Sequence, residues 1–290
     1  MIKRIKLWFV LPLATIVVAV AVVIIIGPTW GIDFTGGSLL EIDTNNAEVE
    51  ATRALLNKET SIGLSVQASK DSRMIIKAEP LTEEQHTAIV DVLNRENLLK
   101  EELRFESIGP TIGAELRRKS IIALALAVVM LIIYLAYTFR QVSGFVAPWK
   151  LGLAAVYASV HDLVFVLALF VILGRLYGVV IDTMFVTAIL AILGYSVNDT
   201  IVIFNRFKTE WLANRNDDLL TVLDRANSKS LTRSLNTGWA TLLVLFVLLA
   251  IGGATTQWFV VALIAGTIIG TYSSIFVAPP VLFYLAKIGK

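Results

Sequence analysis

Five polar or ionisable residues lie within or beside long apolar segments of this 290-residue sequence, and their types indicate proton-transfer chemistry. They are His161, Asp162, Asn198, Asp199 and Arg233. A charged side chain is costly in hydrocarbon, so it usually faces the interior of a helix bundle or a water-filled cavity. Carboxyl and imidazole groups in such a place can take up and release protons. The sequence has no cysteine and only two histidines, far apart, which excludes disulfides and argues against a metal site.

Asp199 is the first candidate for this chemistry. It precedes Arg206 by seven residues, which corresponds to about 10 Å along a helix. Tyr195 and Ser196 lie one turn earlier on the same helix face and could hydrogen-bond its carboxyl group. Asn198 points about 100° away, toward a different face. The alternative to proton transfer is a packing hydrogen bond made by a neutral Asp199.

The adjacent residues His161 and Asp162 are the second candidate. They fall ten residues into their apolar segment, near the middle of the membrane. Their side chains diverge on a helix, so they need not pair with each other. A proton relay is one interpretation, because histidine titrates near neutral pH. The other is an interhelical hydrogen bond that fixes packing.

Arg233 is the third candidate, and it lies just before the fifth apolar segment. An arginine at the membrane interface commonly extends its charged end toward water, which is the first interpretation. The second is that Arg233 serves as the counter-charge of Asp199 and keeps that carboxylate ionised until a proton arrives.

Composition indicates the elements that must position these residues. Hydrophobic residues make up 56% of the chain and charged residues 17%, against about 45–50% and about 25% in soluble domains. A membrane span needs about 20 mostly apolar residues. The first segment is too long for the apolar core of a cleaved signal peptide, which has about 7–15 residues. Six spans are predicted, the last broken near Pro279 and Pro280: 7–26, 121–139, 151–173, 181–204, 235–251 and 258–285.

Lysine and arginine in the short flanking segments predict the orientation of the spans. With the N-terminus inside, the inner segments hold thirteen such residues and the short outer loops hold one, Arg175. Excess positive charge marks the cytoplasmic side. The triplet 117–119 belongs to a long outer segment, which the rule does not count. Both termini are therefore expected in the cytoplasm, and residues 28–118 outside it.

The outer segment is predicted to be a small α+β domain. Thr82 and Gln85 form a capping-box pattern at the start of its second helix, and a turn is predicted at 69–71. The order β-α-β-β-α-β is typical of a ferredoxin-like fold. The segment lacks a nucleophile–base pair, a phosphate loop and a metal cluster, so we expect binding or movement and no enzymatic activity. The predicted elements are strands at 38–43, 63–68, 73–78 and 102–108, and helices at 47–58 and from residue 82.

The predicted domains are therefore the N-terminal segment and first span (1–27), the α+β domain (28–118) and a five-span bundle (119–290) with a cytoplasmic loop at 205–235.

The sixth span carries small residues at every fourth position, and such a stripe lets another helix approach closely. We call it the small-residue stripe and interpret it as a packing surface. Its members are Ala262, Gly266, Gly270 and Ser274.

Two motifs resemble signatures of the SecF family of bacterial protein-export membrane proteins, within the resistance–nodulation–division superfamily. One is Gly-Ile-Asp-Phe-Thr-Gly-Gly-Ser at 31–38, and the other is Gly-Tyr-Ser-Val-Asn-Asp-Thr-Ile-Val-Ile-Phe at 194–204. The His161–Asp162 pair and the segment around Arg233 resemble the family as well, so the likeness covers nearly the whole chain in order. The first motif would act as a hinge or as a tight turn, through Gly31, Asp33, Phe34, Gly36 and Gly37.

The resemblance implies a subunit of the Sec preprotein translocase in the bacterial cytoplasmic (inner) membrane. Such a subunit pairs with SecD, attaches to the SecYEG channel, often with YajC, and uses the proton-motive force to promote export after SecA has driven insertion of the preprotein. Asp199 and Arg233 match the residues tied to proton passage. No cofactor other than the coupling proton and no nucleic acid is implied.

Three other functions remain open at this stage. The chain could be a non-conducting scaffold that stabilises SecD, or half of a small-molecule exporter from the same superfamily. An outer domain of only about 90 residues disfavours the exporter. An intramembrane protease using Asp162 and Asp199 is disfavoured because the Gly-x-Gly-Asp pattern is absent before Asp199.

Overall fold

A computed structural model describes residues 5–45, 47–60, 62–68, 73–140 and 146–288, without the side chains of 254 and 255. The chain forms two compact units, Trp30–Ile121 and the combination of Met1–Thr29 with Ile122–Lys290. In chain order the elements are α1 (Ile5–Ile26), α2 (Ile32–Thr35), β1 (Gly37–Thr44), α3 (Val49–Thr60), β2 (Leu64–Ala68), β3 (Arg73–Ala78), α4 (Glu83–Arg95), β4 (Leu99–Ile108), α5 (Pro110–Thr138), α6 (Pro148–Tyr177), α7 (Thr183–Ala213), α8 (Leu219–Ile251), α9 (Ala254–Phe276) and α10 (Ala278–Lys287).

The unit Trp30–Ile121, called the α+β unit, confirms the predicted β-α-β-β-α-β order. Its sheet has the strand order β2-β3-β1-β4, and all three neighbouring pairs are antiparallel. Alternate residues of β1 point into the core, where Leu40 and Ile42 meet Ile89 and Leu93 of α4. The predicted turn at 69–71 lies outside the described residues.

The capping box predicted for α4 is confirmed in both directions. The hydroxyl oxygen of Thr82 accepts a hydrogen bond from the backbone N–H of Gln85 at 3.3 Å, and the Gln85 side chain accepts from the backbone N–H of Thr82 at 2.9 Å. Two backbone donors that the first helical turn leaves unpaired are thereby satisfied.

In the described ranges six helices are long and apolar enough to cross a membrane, as predicted. The other unit, called the membrane unit, contains five of them and the greater part of α5. The fold class is therefore confirmed as a six-span α-helical membrane protein with a small α+β unit. Half of the most apolar stretch is buried in α6, in α7 and in the α9–α10 span, against 11% in α1, 6% in α5 and 17% in α8. The interior of the membrane unit is thus built mainly from α6, α7, α9 and α10.

Several helices extend well beyond their apolar segments, because helical hydrogen bonding does not end where hydropathy falls. Helix α5 begins at Pro110, and α8 begins at Leu219. Most of the predicted loop 205–235 therefore lies in the ends of α7 and α8. Their polar ends are joined by the ion pair of the buried Glu210 with Lys229 at 2.8 Å, and Glu210 also pairs with Arg206 of its own helix at 3.3 Å.

The last span is interrupted at Val277, between α9 and α10, close to the predicted break. Pro279 has no backbone N–H to donate to the carbonyl oxygen of Ile275, four residues earlier. The buried side chain of Asn227 supplies the missing donor, with its Nδ2 3.1 Å from the Ile275 oxygen. A side chain of α8 thus compensates for the proline that breaks the last span.

Candidate functional site

Asp199 lies on the buried face of α7 and is 6% exposed. Its Oδ1 accepts a hydrogen bond from the hydroxyl group of Ser234 on α8 at 2.7 Å, and its Oδ2 accepts from Ser274 on α9. Hydroxyl groups can donate to a carboxylate and can also accept from a carboxylic acid. These surroundings therefore suit either protonation state of Asp199, as a carboxyl group that exchanges protons requires.

The two residues suggested as partners of Asp199 bond elsewhere. Ser196 donates to Asp162 on α6 at 2.6 Å, and the hydroxyl group of Tyr195 lies 3.2 Å from that of Thr271 on α9. Ser196, three positions before Asp199, lies about 60° to one side of it around the helix, and Tyr195, four positions before it, lies about 40° to the other side. Each of them consequently contacts a different neighbouring helix.

Asp162 is completely buried on α6. Its Oδ2 accepts hydrogen bonds from Ser196 of α7 and Ser273 of α9, both at 2.6 Å. The expectation that its neighbour His161 diverges from it is wrong, because the His161 Nδ1 lies 3.1 Å from Asp162 Oδ1. The other ring nitrogen, Nε2, lies 3.0 Å from the hydroxyl oxygen of Thr15 on α1. The pair thus connects α1, α6, α7 and α9.

Helix α9 brings the two carboxyl groups into one hydrogen-bonded arrangement. Ser273 and Ser274 are consecutive, and each donates to a different aspartate. Sequence reasoning did not identify Ser234, Ser273 or Thr15. A signal for one of them was present, since Ser273 stands beside Ser274, the last member of the small-residue stripe.

The small-residue stripe lies against α7, the helix that carries Asp199. A Cβ atom at Gly266 would overlap the side chain of Ile192, and one at Gly270 would lie 3.4 Å from the Cβ atom of Ser196. Close approach of α9 to α7 is what allows Ser274 to reach the carboxyl group of Asp199.

Arg233 and Asn198 have exposed side chains on the membrane unit. Arg233 makes no ion pair with Asp199 in the described part of the chain, and its neighbour Ser234 contacts that carboxyl group instead. The structure therefore brings together Asp199, Asp162 and His161 through serine hydroxyl groups but leaves Arg233 and Asn198 outside this arrangement.

The glycine motif lies in the α+β unit, at the entry to β1. Gly36 and Gly37 have φ angles of 74° and 127°, which side chains disfavour. A Cβ atom at Gly36 would lie 3.0 Å from the Cα atom of Pro110, and one at Gly37 would lie 2.9 Å from the Ala78 oxygen. The two glycines thus form a tight, closely packed turn. The other motif residues form the preceding helix α2 and its N-cap: Gly31, Asp33 and Phe34.

Comparison with known proteins places this arrangement in a family. Residues 89–288 match the family described as "Protein export membrane protein SecD/SecF, C-terminal", and residues 21–48 match the family described as "SecD/SecF GG Motif". The first match contains Asp162, Asp199 and Arg233, and the second contains the glycine turn at Gly36 and Gly37.

Individual relatives agree with the family matches. The chain is 34% identical over 268 residues to the protein translocase subunit SecF of Helicobacter pylori, covering 89% of this chain and 78% of that protein. It is 31% identical over 272 residues to the protein translocase subunit SecDF of Thermus thermophilus, covering 89% of this chain and 35% of that protein.

A crystal structure of SecDF from Thermus thermophilus, described as a translocon-associated membrane protein, superposes on 97% of this chain. The TM-score is 0.84 at 27% sequence identity, and the matched part spans 38% of the SecDF chain. The family models, the relatives and the superposed structure agree, and the chain therefore belongs to the SecD/SecF family of protein export membrane proteins.

Proposed function

We propose that this chain is the SecF-type half of a SecD–SecF pair, which promotes export of preproteins across the bacterial cytoplasmic membrane at the expense of the proton-motive force. The fused SecDF relatives support SecD as the partner, since the chain matches only part of their length. We further propose association with SecYEG and YajC, action after SecA, cytoplasmic termini and an extracytoplasmic α+β unit. The coupling ion is the proton, and no cofactor takes part.

The observation that carries the proposal is the environment of Asp199. This nearly buried carboxyl group is held by one hydroxyl group from α8 and one from α9, and among the described residues no cation pairs with it. A buried carboxylate is costly without a compensating charge. Gain or loss of a proton at Asp199 therefore changes the free energy of the contacts of α7 with both neighbouring helices.

A membrane potential of 100 mV supplies about 2.3 kcal/mol for each charge moved across the membrane. That energy suffices to bias an element whose two states differ by a few kcal/mol. Arg233 lies next to Ser234 on α8, about 100° around the helix. A rotation of α8 would exchange the Ser234 hydroxyl group for the Arg233 guanidinium beside an ionised Asp199. In this proposal Arg233 neutralises the carboxylate in the second state.

The proposal is tested with membrane vesicles that contain the chain and its SecD partner. Preprotein transport is measured with and without a protonophore. We expect Asp199→Asn, which keeps the side-chain size but cannot cycle a proton, to abolish the protonophore-sensitive part of transport. Asn198→Ala is the matched control, because its exposed side chain lies beside Asp199 on the same turn.

Both variants must accumulate with SecD to normal levels, as judged by immunoblot. Protonophore-sensitive transport that persists in Asp199→Asn would assign this chain a scaffold role and place proton coupling in its partner. Loss of transport in both variants alike would show a general defect of α7 and would likewise contradict a specific role of Asp199.

A further inference from the structure

Asp162 is a completely buried carboxyl group that needs a compensating charge or proton. Its exposed fraction is 0%, and its one ion-pair partner within the described ranges is His161 at 3.1 Å. An isolated carboxylate is very unfavourable in surroundings of low dielectric constant. The pair is neutral when it holds one shared proton, either as imidazolium with carboxylate or as imidazole with carboxylic acid.

The hydrogen bonds around His161 and Asp162 indicate where the shared proton of the pair lies. The Thr15 hydroxyl group donates to the carbonyl oxygen of Pro12 at 2.9 Å, and its oxygen lies 3.0 Å from His161 Nε2. A hydroxyl group has one proton to donate, so while the Thr15 proton is donated to the Pro12 carbonyl oxygen, Nε2 is the donor toward Thr15. Two serine hydroxyl groups occupy the Oδ2 of Asp162. The exchangeable proton is consequently confined to the contact between His161 Nδ1 and Asp162 Oδ1.

The neighbouring titratable groups leave the pair without a competing cation. Tyr272 on α9 faces it, with its ring centre 6.3 Å from that of His161, and its buried hydroxyl group has no hydrogen-bond partner among the residues described. Tyr157 lies one turn earlier on α6, and Lys6 is exposed at the start of α1. Four ionisable residues on the other helices packed against α6 have their own partners: Asp199 its two serines, Tyr195 the hydroxyl of Thr271, Tyr284 the ring of Phe9, and Lys287 the ring of Phe283. The remaining charged residues of α7 lie seven or more positions beyond Asp199, where Arg206 pairs with Glu210 and Lys208 stands between them in sequence.

We propose that His161 and Asp162 form a second proton-binding site, coupled to Asp199 through α9 and to α1 through Thr15. The serine pair provides the first connection, because Ser273 donates to Asp162 and Ser274 to Asp199. Hydrogen bonds to a charged acceptor are shorter and about twice as strong as neutral ones. Protonation of one carboxyl group therefore changes the strength of its hydrogen bond to α9. Because the other carboxyl group is bonded to the neighbouring serine of α9, its own hydrogen bond changes as well.

The second connection is made by the imidazole ring. His161 Nε2 contacts α1 while its Nδ1 contacts Asp162, so a proton that arrives between the ring and the carboxyl group alters both contacts. Proton binding at this site stands without the proposed role of Asp199. Only its coupling to Asp199 rests on the proposed function.

The test uses the full chain in lipid nanodiscs with nitrogen-15 in the histidine rings. The chain has two histidines, so two sets of ring signals appear, and His86→Gln assigns them. We expect the His161 signals to report an Nε2–H ring that changes protonation with pH.

Asp162→Asn should shift that titration. Thr15→Val, which keeps the side-chain shape, should shift the balance toward the Nδ1–H tautomer. Ser159→Ala is the matched control, because its hydroxyl group donates to its own helix at Ala155.

An infrared pH titration of the carboxylic acid band measures the coupling. Wild-type protein should show two buried carboxyl groups, of which Asp162→Asn and Asp199→Asn each remove one and shift the other. A His161 ring that keeps one tautomer and one charge at every pH, in wild-type protein and both variants, would overturn the proposal. Titration of His161 together with normal coupled transport in Asp199→Asn would leave this site standing and refute the proposed function instead.

Discussion

Ser273 and Ser274 are consecutive residues of α9, yet their hydroxyl groups donate to carboxyl groups on two different helices, Asp162 of α6 and Asp199 of α7. Adjacent helical residues point about 100° apart. This divergence lets a single turn of α9 fit between the two carboxyl-bearing helices. Ser274 is itself a member of the small-residue stripe, which brings α9 close enough to α7 for this short side chain to reach Asp199.

Removal of either serine hydroxyl group should destabilise the membrane unit. Ser273→Ala and Ser274→Ala each take one donor from a buried carboxyl group, which costs about 1–3 kcal/mol. We expect both variants to unfold at lower temperature in detergent, as followed by circular dichroism. Ser159→Ala should have a smaller effect, since its hydroxyl group bonds within α6. Equal melting temperatures for all three variants would contradict a special role of the serine pair.

The contact between the small-residue stripe and α7 can be tested by adding one methyl group. Gly266→Ala would place a Cβ atom against Ile192, and overpacking of this kind costs about 1–3 kcal/mol. The matched control is Gly194→Ala, whose added Cβ atom contacts nothing within 4 Å. That change should be neutral or slightly stabilising, because alanine favours helix by about 1 kcal/mol over glycine.

The cost of Gly266→Ala should fall when Ile192→Val is added, because the smaller side chain frees space for the methyl group. Thermal unfolding of the four combinations gives the interaction free energy directly. If the two substitutions are additive, the stripe does not pack on α7 at this position.

The sequence was sufficient to predict the elements but not the partners of the polar residues. Apolar runs predict spans because every membrane helix must cover the same thickness of hydrocarbon. The alternation of apolar and polar residues, together with turn-forming residues between the strands, predicts the α+β unit. The partners depend on which helices become neighbours, and that information is not local. The sequence therefore suggests Ser196 as a possible partner of Asp199 on its own helix, whereas the Ser196 hydroxyl group bonds to Asp162 on α6.

The apolar spans are shorter than the helices that contain them for a related reason. Hydropathy detects the apolar part of a helix, whereas α7 and α8 continue beyond that part as far as their capping and ion pairs permit. Asp218 caps α8 by accepting from the backbone N–H of Thr221 at 3.2 Å, well before the apolar segment begins. The ion pairs of Glu210 stabilise the same polar ends. A prediction based on apolar runs has no means to detect either.

The stability of the α+β unit should depend on pH in opposite directions through two lysines. Burial lowers the pKa of Lys77, so between that value and its usual pKa near 10.5 the unfolded chain binds more protons and stability rises with pH. The carboxylate of Asp43 raises the pKa of Lys100, so above about 10.5 stability falls as pH rises through that higher value. Urea-dependent proteolysis over a pH series measures both effects. Lys77→Met should remove the rise and Lys100→Met the fall, and a pH profile unchanged by either substitution would contradict the assignment.

The break between α9 and α10 provides a test in which one substitution should compensate for another. Asn227→Ala removes the amide that donates to the Ile275 carbonyl oxygen, and a buried acceptor without a partner costs about 1–3 kcal/mol. Pro279→Ala restores a backbone N–H at the position from which a continuous helix would satisfy that oxygen. We therefore expect Asn227→Ala to lower the melting temperature more in the wild-type background than in the Pro279→Ala background. A loss of equal size in both backgrounds would mean that Asn227 stabilises α8 in some other way.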